Sequence, residues 1–97
     1  MPKGYWIARM DVRDAAVYDA YRAANAKPLA DYGAKFLVRG GKQDVREGDW
    51  RSRTVVLEFP SLAEARACYD SEDYQKAKNL RLPVADGDLV IIEGYDS

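Results

Sequence analysis

The chain has 97 residues and no histidine, with 15 Lys+Arg against 16 Asp+Glu, one cysteine and 47% apolar residues. That length predicts a single domain over residues 1–97, and the missing histidine excludes a Ser-His-Asp or Cys-His nucleophile and any His-ligated zinc or haem. One cysteine excludes an intrachain disulfide and a Cys-based zinc site. A net charge of −1 with no block of like charges leaves no nucleic-acid footprint.

Tyr5 to Val12 alternates apolar and polar residues and predicts a strand. Asp14 is placed to cap a helix over residues 14–32, in which Val17, Tyr18, Tyr21, Ala24 and Pro28 or Leu29 recur at helical spacing. Pro28 lacks an amide donor and should kink or restart that helix, and Gly33 suits its C-terminal left-handed position. Ala34 to Arg39 predicts a second strand. Gly40-Gly41 then predicts a tight hairpin turn into a short polar edge strand over Lys42 to Glu47, with Gly48-Asp49 as the next turn. Arg53 to Phe59 is strand-like, and Ser61-x-x-Glu64 after Pro60 is a capping box. Ser71 with Glu72 and Asp73 looks like a fresh helix start, so residues 61–82 predict two short helices. Leu62, Ala65, Cys68, Tyr69, Tyr74, Ala77 and Leu80 should face inward. Asp86-Gly87 reads as a turn before a last strand, Asp88 to Tyr95.

The order β-α-β-β(-β)-α-β predicts an α+β fold, a ferredoxin-like sandwich with an antiparallel sheet and helices on one face. Sorted by parity, Trp6-Ala8-Met10, Phe36-Val38, Val55-Leu57-Phe59 and Val90-Ile92 form an uncharged face that belongs under the helices. The opposite face collects Tyr5-Ile7-Arg9-Asp11, Lys35-Leu37-Arg39, Thr54-Val56-Glu58 and Leu89-Ile91-Glu93. That second face is too apolar for solvent. A second copy packed sheet against sheet is the simplest cover, which makes the expected partner the chain itself, as a homodimer. Met1-Pro2-Lys3-Gly4 leads straight into the first strand, and no apolar run reaches the ~18 residues of a membrane span. Neither a signal peptide nor a membrane span is expected, and one unpaired thiol fits a reducing cytoplasm.

Gly4-Tyr5-Trp6-Ile7-Ala8, Phe36-Leu37-Val38-Arg39-Gly40-Gly41, Val55-Val56-Leu57-Glu58-Phe59-Pro60-Ser61, Cys68-Tyr69-Asp70-Ser71-x-x-Tyr74 and Ile91-Ile92-Glu93-Gly94 resemble the DUF1330 family in order and spacing. The resemblance covers essentially the whole chain. It implies a dimeric α+β barrel, in which the sheets of two ferredoxin-like protomers pair across a homodimer. The family carries no assigned function and so lends no catalytic residues. The wider barrel group includes cofactor-free monooxygenases, small-ring isomerases and haem-degrading enzymes; members that use an axial histidine are contradicted by a chain that has none.

Arg9, Arg39, Glu58 and Glu93 are the candidate polar cluster between the sheets, with Tyr5 on the same face. Glu58, Glu93 or Tyr5 could move a proton, and an arginine could hold an enolate or carboxylate. The plainer alternative is that these charges pair with one another and fix register. Asn25, where the helix meets Pro28, either bonds backbone groups freed by the proline or points into a cavity mouth. Cys68 lies on an apolar stripe and reads as an inert buried thiol. Trp50 is a dimer contact, a lid or an isolated surface aromatic. Gly40-Gly41 is no phosphate loop, since no helix follows it, and Asp11, Asp14 and Asp19 form no oxygen-ligand loop. Two functions remain open at this point. One is a cofactor-free enzyme or binder for a small polar or aromatic metabolite in an inter-sheet cavity, with no metal. The other is a non-catalytic, structural or stress-related dimeric module with a sealed core.

Overall fold

A computed structural model describes residues 2–95. Its elements are β1 (Gly4–Val12), α1 (Ala15–Asp31), β2 (Lys35–Arg39), β3 (Arg53–Phe59), α2 (Leu62–Asp70), α3 (Glu72–Arg81) and β4 (Ala85–Glu93). The four strands form one antiparallel sheet in the order β2-β3-β1-β4. The helices cover one of its faces, which makes a slab only 16 Å along its shortest axis.

Local chemistry sets the helix ends where the sequence places them. Asp14 accepts from the amides of Ala16 and Val17, Ser61 from Glu64, and Ser71 from Tyr74. Gly33 closes α1 at φ 74°, and its amide donates to the Ala30 carbonyl. Pro28, however, does not interrupt α1, which runs through it as one helix of 17 residues. A proline costs the helix one hydrogen bond. Burial of Pro28 and Leu29 against the core offsets that loss.

Three sequence expectations need correction. Residues 42–47 form no strand; Gly40 turns at φ 70°, and its amide donates to the Thr54 carbonyl, but the 40–52 connection then crosses the sheet as a loop. Asp86-Gly87 is no turn. Both residues lie in β4, opposite Asp11 and Met10. A side chain at residue 87 would run into Met10, so the glycine there answers to packing and not to turn geometry. Leu80 and Val17 are exposed, while Arg81 and Asn25 are buried in their stead.

The face assignment changes at both sheet edges. Register pairs Trp6 with Ile91 and Ala8 with Leu89, so Leu89 and Ile91 lie under the helices. Val90 and Ile92, half exposed, join Ile7 and Val56 on the open face. Glu93 sits opposite Gly4 and leaves the open face too. In β2 the register slips between Phe36 and Val38, with Leu37 as the bulged residue. Beyond that bulge Val38 stands beside Val56 and Arg39 beside Val55, so Arg39 turns toward the helix side.

The core is aromatic. Trp6 is 1% exposed, packs against Phe59 at 5.1 Å and Tyr74 at 4.8 Å, and donates its indole N–H to the Ala65 carbonyl at 2.9 Å. Tyr21 and Tyr74 join hydroxyls at 2.9 Å and so tie α1 to α3. At one end of β1 the backbone passes so close to α2 that a Cβ on residue 4 would lie 2.5 Å from the Ser61 carbonyl oxygen. Gly4→Ala should therefore push the strand off the helix and cost about 1–3 kcal/mol. Urea unfolding checks this, with a lower midpoint and an unchanged slope as the expected outcome.

Candidate functional site

The polar residues of the open face split into two separate groups. At one end Tyr5 and Glu58 are directly cross-strand, and the phenol donates to Glu58 Oε2 at 3.1 Å. Lys3 Nζ lies 3.9 Å from the other carboxylate oxygen. This hydrogen bond, and then burial and the nearby charge, raise the Tyr5 pKa above that of an ordinary phenol. Four residues along β1, roughly 13 Å away at the rise of a strand, Arg9 pairs with Asp88 at 2.7 Å.

Arg51 joins that second group. It bonds Asp88 at 3.1 Å and Asp11 at 2.9 Å, and the Arg9 guanidinium lies 4.6 Å from the Trp50 ring centroid. Both aspartates are held below the usual carboxylate range, Asp88 chiefly by Arg51 and then Arg9, and Asp11 chiefly by the Ser52 amide and then Arg51. These bonds fasten the 40–52 loop onto the sheet, and Trp50 donates to Thr54 as part of the same clasp. The four charges expected to meet between the sheets are thus not one cluster. Glu58 and Arg9 lie on the open face, each with a partner, Arg39 lies on the helix side, and Glu93 is exposed on the outer strand.

The helix side holds a smaller and more enclosed space than the open cleft of about 360 Å³ that Val38, Trp50 and Thr54 line beside the 40–52 loop. A cavity of about 30 Å³ lies between α1 and the β2–β3 edge, where the helix layer stops short of β2. A single water needs roughly 10–15 Å³ on this scale, so the space suits a group of a few heavy atoms. Trp6, Tyr18, Tyr21, Phe36 and Leu57 supply apolar walls; Arg22, Arg39, Arg53 and Asn25 supply the polar ones. Among the described residues no carboxylate lines it. Arg22 reaches Asp19 at 3.2 Å on the surface, while Arg39 and Arg53 have no carboxylate partner among the described residues. Arg39 instead lies 4.0 Å over the Phe36 ring, and Arg53 packs over Gly40, where a side chain would collide with its guanidinium.

Asn25 is 7% exposed, and its Oδ1 accepts no hydrogen bond. It therefore does not bond backbone groups freed by Pro28 through that atom; it faces the cavity. The Nε atoms of Arg22 and Arg53 are likewise buried without partners. Burial raises the Tyr18 phenol above its ordinary pKa, so this wall residue stays neutral and does not offset the arginines. Behind Tyr21 and Met10 lies Arg81, 6% exposed, its guanidinium 5.3 Å from the Tyr21 centroid. Asn25 was detectable in the sequence: residues 18, 21, 25 and 28 follow a 3-4-3 spacing that places it on the buried stripe. Arg53 carried no such signal, because only the fold brings it beneath Gly40.

A four-stranded antiparallel sheet backed on one side by helices is an α+β architecture, and solved structures that match it are described as ferredoxin-like. The chain belongs to DUF1330, a domain of unknown function, whose family model matches residues 3–95. No curated protein matches it. Among solved structures it is similar to a protein of unknown function from Rhodopseudomonas palustris, at 18% identity and a TM-score of 0.77 over 99% of this chain and 85% of that one. SnoaB, a cofactor-independent oxygenase from Streptomyces nogalater, matches at 12% identity and a TM-score of 0.65, over 100% of this chain and 97% of its own. A dimeric ferredoxin-like protein of unknown function from Thermobifida fusca matches at 19% identity and 0.62, over 95% and 91%. Identities this low establish a shared fold and no shared chemistry.

Two measurements follow from these surroundings. Replacing an unpartnered buried acceptor by an apolar group of similar shape removes a desolvation cost. Asn25→Leu should thus raise Tm by about 4–8 °C, the shift that 1 kcal/mol produces in a domain of this size; a fall of several degrees would show that Asn25 supports the fold. Burial, with Asp31 nearby, pushes the Cys68 thiol up to about 12. At pH 8 the native thiolate fraction is then about one in ten thousand. Alkylation of Cys68 should therefore track global unfolding, with a rate that rises with urea along the unfolding curve.

Proposed function

We propose that this protein is a homodimeric small-molecule binder whose site is the cavity under α1. The observation that carries the reading is the buried, unpartnered Asn25 Oδ1 in a wall that also presents guanidiniums without carboxylate partners. Buried polar groups are ordinarily satisfied, and those left open cluster where a ligand completes them. The metabolite-binding function expected from the sequence is kept, and its site moves from the open face to the helix side. Of the residues named from the sequence, Asn25 and Arg39 belong to this site; Tyr5, Arg9 and Glu58 belong to the interface.

The open face supports the homodimer. Ile7, Val38, Val56, Val90 and Ile92 make it apolar, and Arg9, Asp88, Asp11 and Glu58 are already paired within the protomer, with Lys35 at the edge of the face. A face of this kind gains by pairing with its own copy, which would close the two sheets into an α+β barrel. A structural likeness to proteins described as dimeric points the same way. The barrel interior is then a paired interface, as the non-catalytic reading required, while the binding site lies outside it. The free, buried Cys68 fits a cytoplasmic setting.

Catalysis without a cofactor, as SnoaB's description states for that protein, would have to work here with few groups. Among the described residues the cavity wall contains no carboxylate or thiol, and its Tyr18 phenol stays protonated, so arginines could stabilise an oxyanion while the proton acceptor would have to be the substrate itself.

Two variants test the two halves of this proposal separately. Val90→Arg should give a monomer by sedimentation velocity at micromolar concentration with an unchanged circular dichroism spectrum; a persistent dimer would sink the sheet-face interface. Ligand-observed NMR on a mixture of central metabolites should give signals with wild type that Val55→Phe, which fills the cavity, abolishes. Signals that survive in the folded Val55→Phe protein, or none with wild type, would rule the cavity out as the site.

A further inference from the structure

Resting on the reading of the cavity as a ligand site, we propose that its ligand is a small α-hydroxy carboxylate: the acid group meets Arg39 and Arg53, and the hydroxyl donates to Asn25 Oδ1. Three features of the wall fix this chemistry independently.

The first is charge. Three arginines line the cavity, and no aspartate or glutamate does, in a chain with 16 acidic residues. The acids went elsewhere: Asp11 and Asp88 to the loop clasp, Asp86 to Arg13, Glu58 to Tyr5. Arg22 is paired with Asp19 at 3.2 Å, but Arg39 and Arg53 border the apolar-walled space without a carboxylate partner among the described residues; such guanidiniums favour an anion, and their fork geometry suits a carboxylate. Arg53 has a further buried donor, Nε, without an acceptor.

The second is the sign of the orphan on α1. Asn25 Oδ1 is an acceptor, so an anion alone would leave it unsatisfied. The ligand needs a donor besides its oxyanion, and a hydroxyl supplies one. A simple carboxylate offers none at neutral pH. An amine would supply a donor too, but would place a cation among three guanidiniums.

The third is size. About 30 Å³ of room is roughly two to three water-sized groups at ~10–15 Å³ each, so only the smallest hydroxy acids suit the cavity, with part of the molecule at its mouth. Larger aromatic acids would need β2 to swing outward. Trp6, Phe36 and Leu57 leave an apolar wall for the short carbon chain.

Titration of the intact protein in low-salt buffer with three probes separates these contributions. Glycolate carries both groups, acetate lacks the hydroxyl, and glycolamide lacks the charge. Calorimetry or NMR shift titration should show glycolate binding at least tenfold more tightly than glycolamide and several-fold more tightly than acetate. Arg53→Met should weaken glycolate at least tenfold. Asn25→Leu should erase the preference for glycolate over acetate while leaving acetate binding in place, a result that a merely misfolded variant could not give. Equal affinity for glycolate and glycolamide, or for glycolate and acetate, in wild type would overturn the proposal, as would an unchanged preference in Asn25→Leu. If no probe binds, the cavity holds water and the proposal falls. The binding-site reading falls with it only if the metabolite mixture also gives no signal that depends on Val55.

Discussion

Trp6 reaches from β1 toward both α2 and α3, and the two-layer arrangement depends on it. Its ring meets Phe59 of β3 and Tyr74 of α3, and its N–H is spent on a carbonyl of α2. Tyr74 then bonds Tyr21, so the same aromatic chain sets the height of α1 above the sheet. Burial holds the Tyr74 phenol far above its ordinary pKa, so this link does not ionise under physiological conditions. The small residues beside it, Ala65, Cys68 and Ala77, are fully or almost fully buried and let the helices close onto the rings. Because Tyr21 also forms part of the cavity wall, the core and the site share a side chain. The cavity edge is therefore as rigid as the core behind it.

A net charge of −1 hides a strong separation of charge. Asp86 and Asp88 on the outer strand, and Asp11 in the clasp that pins residues 40–52, each have a basic partner and contact with water. Arg39 and Arg53, without a carboxylate partner among the described residues, line the cavity beside α1. Exposed ion pairs contribute little to stability, and the clasp is best understood as a positional device: it keeps Trp50 and Arg51 against the sheet rather than free. The Nε atoms of Arg22 and Arg53 and Asn25 Oδ1 work against stability instead, since each is kept out of water without a partner. In a small domain with limited core, such costs weigh heavily.

The features legible in the sequence were those decided within a few residues. Asp14, Ser61, Ser71 and Gly33 act on amides or carbonyls up to three or four positions away, and each stands where its residue type requires. Strand parity failed at the edges for a physical reason. Phe36, Leu37 and Val38 are all apolar, as are Leu89 through Ile92, so alternation carries no contrast there and only pairing with a neighbour decides which side is which. Gly40-Gly41 suggested a hairpin because a tight turn and a glycine packed under an arginine look alike in sequence. The polar candidates split for the same reason. Tyr5, Arg9 and Glu58 lie on central strands whose alternation is clear, and they stayed on the expected face, whereas Arg39 and Glu93 lie on the outer strands and did not.

The bulge at Leu37 links the two surfaces. With regular pairing along β2, Val38 would lie under α1 and Arg39 on the open face, as simple alternation predicts. One extra residue reverses both. It places Val38 beside Val56 and keeps the Arg39 charge off the apolar face. It also places Arg39 against Phe36 at the cavity wall, close to the turn at Gly40 over which Arg53 packs. An edge strand tolerates the irregularity because β2 has a neighbour on one side only. A single inserted position thus clears charge from the open face and delivers it to the cavity wall, which ties the two surfaces to the same three residues of β2.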